Sequence, residues 1–74
     1  MTLDQLIIGT SAELMNIDRS LTLRPRLMEM GLIPGVPLSV IRVAPLGDPI
    51  EILVRGTRIS LSKSDASGIH CRTT

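Results

Sequence analysis

From Pro25 to Gly56 the chain meets a glycine or a proline so often that only short elements fit between them. A parallel crossover needs roughly a dozen residues or more, and none of those intervals has room for one. Antiparallel strands joined by tight turns are the arrangement left open. With 74 residues the chain makes one domain, 1–74, and a domain this small buries only roughly 60% of the surface its unfolded chain exposes.

Local patterns place the elements. Thr2-Leu3-Asp4-Gln5 has the form of a capping box and predicts one helical turn before Ile7-Ile8-Gly9. Ser11 to Ile17 reads as a first strand, with Ala12 and Leu14 on one face and Glu13 and Met15 on the other. From Leu21 to Met30 the period changes: Leu23, Leu27 and Met30 fall within about 60° of one another at roughly 100° per residue, which predicts a short amphipathic helix with its inner face on those three. Pro25 restricts the N-cap to Thr22 or a residue just after it, and Gly31 supplies the left-handed stop.

Leu32-Ile33-Pro34-Gly35 reads as a turn, followed by a strand from Val36 to Val43. Its apolar phase shifts between Val40 and Ile41, which predicts a bulge. After the loop Ala44 to Pro49, a strand carries Ile50, Ile52 and Val54 inward, Arg55-Gly56-Thr57 turns, and Arg58 to Leu61 returns with Ile59 and Leu61 inward. Ser62 to Asp65 caps a short helix running to about Gly68, and Ile69 to Arg72 closes the barrel as a last strand. The expected fold class is mainly β: a small antiparallel barrel of about five strands with two short helices.

Composition removes several functions. Phe, Tyr and Trp are all absent, so neither the aromatic walls of a proline-rich peptide groove nor the stacking platforms of a single-strand binder can be built. Eight Lys plus Arg against seven Asp plus Glu give a net charge of +1, far below the basic footprint of duplex binding, so no nucleic-acid partner is expected. Cys71 is the only cysteine, which excludes an internal disulfide and suits a reducing compartment. The longest uncharged stretch, Met30 to Ile41, is broken by Gly and Pro and falls short of the roughly 20 apolar residues of a membrane span. A soluble cytoplasmic protein without direct membrane insertion is expected.

Catalytic chemistry finds no foothold. The single histidine, His70, is the chain neighbour of Cys71, and adjacent strand residues face opposite ways. No nucleophile elbow marks a serine, and nothing sets Asp48 and Glu51 across a cleft as an acid–base pair. His70, Cys71, Asp48, Glu51 and Asp65 are the possible metal ligands, but no pair has ligand spacing, and no nucleotide-binding glycine loop is present. No enzyme activity, cofactor or metal site is expected.

Two stretches resemble a known family: Arg26-Leu27-Met28-Glu29-Met30-Gly31-Leu32-Ile33-Pro34-Gly35, and Arg42-Val43-Ala44-Pro45-Leu46-Gly47-Asp48-Pro49-Ile50-Glu51-Ile52. Both are similar to the pattern of the FeoA family, with Val54-Arg55-Gly56, Ile59-Ser60-Leu61 and Ala66-x-x-Ile69 in register after them. The resemblance implies an SH3-like barrel and a role beside FeoB, the ferrous iron permease, whose cytosolic part would be the protein partner and would hold the chain near the inner membrane face. Pro25 and the outward Leu53 depart from the family pattern. Alternative readings are a regulatory barrel related to the C-terminal domain of iron-dependent repressors, or a weak iron-binding carrier.

Periodicity leaves two large apolar residues outside the expected core: Met28 on the helix and Leu53 on the sheet. With Arg24 and Glu29 as a polar rim, they form the expected partner-binding set, for the permease or for a weak homo-oligomer.

Overall fold

Period-two alternation governs most of the chain, and the computed structural model, which describes residues Met1–Thr74, turns it into one antiparallel sheet. The strands are β1 (Ser11–Ile17), β2 (Pro37–Val43), β3 (Ile50–Val54), β4 (Thr57–Leu61) and β5 (Ile69–Thr73). Two helices interrupt them: α1 (Arg24–Glu29) between β1 and β2, and α2 (Lys63–Ala66) between β4 and β5. A 3-10 turn over Leu3–Gln5 opens the chain, and the Thr2 N–H donates to Gln5 Oε1 at 3.0 Å. The strand order is β4-β3-β2-β1-β5, so every sequential pair is adjacent except β5, which returns to lie beside β1. Ile69–Arg72 was expected to close the barrel as a last strand; among the five strands β5 pairs with β1 alone, and no ladder joins it to β4.

One face of the sheet supplies the core. Eighteen residues, all apolar side chains or Cys71, form a single buried cluster, and no polar or charged residue is buried. Ala12 and Leu14 enter it from β1, Leu38 and Val40 from β2, Ile50, Ile52 and Val54 from β3, and Ile59 and Leu61 from β4. The predicted bulge lies between Val40 and Arg42, and it rotates Val43 back so that it packs against the core instead of the outer face. A second irregularity between Leu14 and Asn16 does the same for Ile17 on β1.

The β3–β4 hairpin closes through Arg55 and Gly56, at φ +50° and +80°. Positive φ at both central positions marks the primed turn whose twist matches that of the strands. Helix α2 starts on Ser62, whose Oγ accepts the Asp65 N–H at 3.0 Å.

Helix α1 is shorter than the predicted Leu21–Met30 segment. Leu23 is its N-cap and Pro25 sits in the first turn, where the missing N–H has no partner to lose. At the other end Gly31 takes φ +105°. The Leu32 N–H donates to the Leu27 carbonyl at 3.0 Å and the Gly31 N–H to the Met28 carbonyl at 3.1 Å, a Schellman exit. Leu32 is fully buried and Leu27 is 3% exposed, so the apolar pair that accompanies this motif is part of the core. Burial of each such leucine contributes about 1.5–3 kcal/mol.

The inner face of α1 differs from expectation. Met30, predicted inward, is 41% exposed, while Met28, predicted outward, packs against the core. Arg24 explains the rotation: its Nε donates to the Ile17 carbonyl at 3.2 Å, which draws the Arg24–Met28 side of the helix onto the end of β1 and lifts the Arg26–Met30 side away.

A Cβ added at Gly31 or Gly47 would meet nothing within 4 Å, yet both residues hold positive φ, +105° and +84°. Gly31→Val and Gly47→Val should therefore each cost about 1–2 kcal/mol through backbone strain alone and lower Tm by about 4 °C or more. Thermal melts followed by circular dichroism check this, and Gly31→Asn should recover part of the loss because asparagine tolerates the left-handed region.

Candidate functional site

Strand alternation in β5 sends His70 and Cys71 to opposite faces, as the sequence predicted. His70 Nε2 lies 2.8 Å from Asp18 Oδ1 at the surface. Cys71 is 3% exposed in the core. Burial pushes its thiol up to about 11, a rise only partly offset by the N-terminal ammonium, which donates to the Cys71 carbonyl at 3.1 Å. A thiol held protonated and turned from the only imidazole has no means of nucleophilic attack.

The remaining carboxylates have separate tasks. Asp48 Oδ1 accepts the Lys63 N–H at 2.9 Å and ties the β2–β3 loop to the start of α2. Glu51 lies 3.6 Å from Arg58 Nη1 across the β3–β4 hairpin. Asp65 sits in the first turn of α2. The structure does not bring His70, Cys71, Asp48, Glu51 and Asp65 together, and no three His, Cys, Asp or Glu side chains converge on one point.

The residues expected to meet a partner are divided between two places. Arg24 and Met28 line a small hollow of about 30 Å³ with Asn16, Ile17, Leu32 and Pro34. Leu53 lies on the other face, half-buried in a shallow depression beside Ser39 and Arg55. Its outward phase is as predicted, because Ile52 and Val54 on either side are buried. Glu29 is exposed and lines neither hollow.

The largest hollow on the molecule, about 280 Å³, was not anticipated. It runs between α1 and β4 over Leu23, Leu27, Met30, Ile59 and Leu61, with Arg26 and Arg58 at its walls. Sequence periodicity had assigned Met30 to the core, which hid the groove. The alternating Arg58-Ile59-Ser60-Leu61 pattern showed the inward residues, but that β4 is an outer strand follows only from the topology.

Residues 1–73 match the model of the FeoA domain. The chain belongs to the FeoA family. The FeoA protein of Chlorobium tepidum has the same fold at a TM-score of 0.92 and 38% identity, over 99% of this chain and 70% of that one. FeoA of Stenotrophomonas maltophilia, an SH3 domain protein whose crystal structure is a complex with zinc, superposes at 0.84 with 28% identity over 96% of this chain and 88% of that one. The SH3-like fold implied by the sequence resemblance is therefore the fold found. A Porphyromonas gingivalis fusion of Fe(2+) transport protein A with the Fe(2+) transporter FeoB is 32% identical over 70 residues; the match takes in 95% of this FeoA domain but 8% of the fusion. At 23% identity, T. acidophilum IdeR shares the fold at a TM-score of 0.86, with the match covering 34% of that chain.

The raised thiol sets a pH dependence for this FeoA domain. An acid whose folded value, about 11, exceeds its ordinary value of 9.0 leaves stability untouched below the unfolded value. As pH rises between the two values the unfolded chain alone loses the proton, so stability falls. Unfolding free energies from urea titrations at pH 7 and pH 10 should differ by about 1–2 kcal/mol more in the wild type than in Cys71→Ala. An equal loss in both would show that Cys71 ionises as easily folded as unfolded.

Proposed function

We propose that this chain is an accessory protein of ferrous iron uptake that binds the cytosolic part of a FeoB-type permease and modulates transport. The observation that carries the reading is the fusion: in the P. gingivalis relative, a region like this chain shares one polypeptide with the transporter. A covalent link holds two modules at millimolar effective concentration. A chain separate from its permease must recover that proximity through a binding surface.

The chemistry of the molecule supports action by contact. Its thiol is buried, its imidazole is paired with Asp18, and its acidic residues are dispersed. No helix is long and apolar enough to cross a membrane, in keeping with a cytoplasmic site reached through the partner. Within this reading Leu53, Met28, Arg24 and Glu29 remain contact residues, Leu53 the foremost because it stands outside the core. The fold likeness to IdeR favours a second reading, a regulatory barrel. Helices of six and four residues leave no recognition helix on these residues, so that reading needs DNA-binding elements from elsewhere.

The test is binding of the purified chain to the cytosolic domain of the permease from the same genome, with uptake of radiolabelled Fe²⁺ measured in a strain lacking the chain. The wild type should bind, and its loss should change the initial uptake rate. Leu53→Glu should weaken binding while leaving Tm within about 2 °C, whereas Met28→Glu should also lower Tm because part of its side chain leaves the core. No binding by the wild type together with unchanged uptake would overturn the reading.

A further inference from the structure

The two outer strands of the sheet are finished differently. Along β5 the first residues of the chain lie as a short extra strand. The Cys71 N–H donates to the Met1 carbonyl at 2.7 Å, the Met1 amine donates to the Cys71 carbonyl at 3.1 Å, and Thr2 bridges His70. Nothing covers β4. Its register with β3, Val54↔Thr57, Ile52↔Ile59 and Ile50↔Leu61, together with the two-residue turn, directs the backbone groups of Thr57, Ile59 and Leu61 to β3. The N–H and C=O of Arg58 and Ser60 therefore point away from the sheet, and no turn, cap or side chain of the molecule reaches them.

The 280 Å³ groove runs along this open edge. Its inner side is aliphatic, formed by Met30, Ile59 and their neighbours, and Met30 is 41% exposed there. Both walls are cationic. Arg26 has no carboxylate within 4 Å, and Arg58, whose side chain is 76% exposed, has only Glu51 at 3.6 Å.

We propose that the α1–β4 groove takes an extended segment of a partner protein as a sixth strand, and that this segment alternates aliphatic and acidic residues. The four free backbone groups of Arg58 and Ser60 supply the ladder, enough for a segment of about five residues. Period two then places alternate side chains of the segment over Ile59 and Met30, while those between them face outward beside Arg58, with Arg26 at the opposite rim. A second copy of this chain fits poorly, since its own β4 would bring another arginine to an edge already flanked by two. The inference goes beyond the permease reading and does not depend on it, because the segment is specified by chemistry alone.

The test uses the full chain, labelled for amide NMR, and the acetylated and amidated heptapeptide Asp-Leu-Glu-Val-Asp-Leu-Glu as probe. Saturating peptide should slow amide exchange of Arg58 and Ser60 by about tenfold or more, as burial in a ladder does, and should shift the Met30 methyl signal. Arg26→Glu and Arg58→Glu should each weaken binding by about tenfold or more, with affinity falling as salt rises. A peptide N-methylated at the two acidic residues beside its valine should not bind, since in an antiparallel ladder theirs are the N–H groups that face Arg58 and Ser60. Absence of any change at β4, or binding that survives both charge reversals at once, would overturn the proposal. So would protection of β4 that grows with chain concentration without peptide, which would make a second copy the occupant.

Discussion

One-sided burial of a small antiparallel sheet by aliphatic side chains is the interaction on which everything else in this molecule rests. The core holds leucine, isoleucine, valine, alanine and one cysteine, with no polar group to satisfy and no aromatic ring to anchor it. Without large rings, density has to come from many branched residues meeting in register. The two strand irregularities serve that end: each returns a residue, Val43 or Ile17, to the core side after the alternation has slipped. The helix contributes through the Leu27–Leu32 pair at its exit, so that Gly31 joins a helix end to the sheet instead of merely ending a helix.

That economy determines what is left for function. Every buried position is committed to packing, and the groups that carry chemistry in other proteins are here bound to structural neighbours: Asp48 to the start of α2, Asp18 to His70, Glu13 to Arg72 at 2.8 Å. Surface remains. The sheet has two outer edges, one covered by the chain's own first residues and the other bare beside an aliphatic, arginine-walled groove. On the proposed reading a protein of the FeoA family built this way acts by contact, and the unfinished edge is one place where its structure leaves backbone groups free.

Much of this was legible in the sequence because strands report their faces directly. β1 was expected at Ser11–Ile17 and is found there, the bulge after Val40 was visible as a phase change, and the inward rows of β3 and β4 followed from alternation. The family match rests on residues that shape turns, such as Gly31, Pro34 and Gly47, which is why fold and family were readable together. Helix α1 was read less well. Six residues make fewer than two turns, so the arc chosen from Leu23, Leu27 and Met30 could rotate at little cost, and the hydrogen bond from Arg24 to Ile17, seven residues apart in sequence, decided it. The groove was hidden by the same rotation, and the bare edge depends on strand order, a nonlocal property that no window of residues encodes.

The claim that the α1–β4 edge takes an extended segment as a further strand is tested most directly by hydrogen exchange on the full chain saturated with the alternating aliphatic and acidic heptapeptide, read residue by residue against the free chain. The account predicts new protection across Arg58–Leu61 and along Arg24–Met30, with β1, β5 and the β2–β3 loop unchanged. Protection confined to the neighbourhood of Leu53, or a complex that leaves β4 exchanging as it does in the free chain, would contradict it.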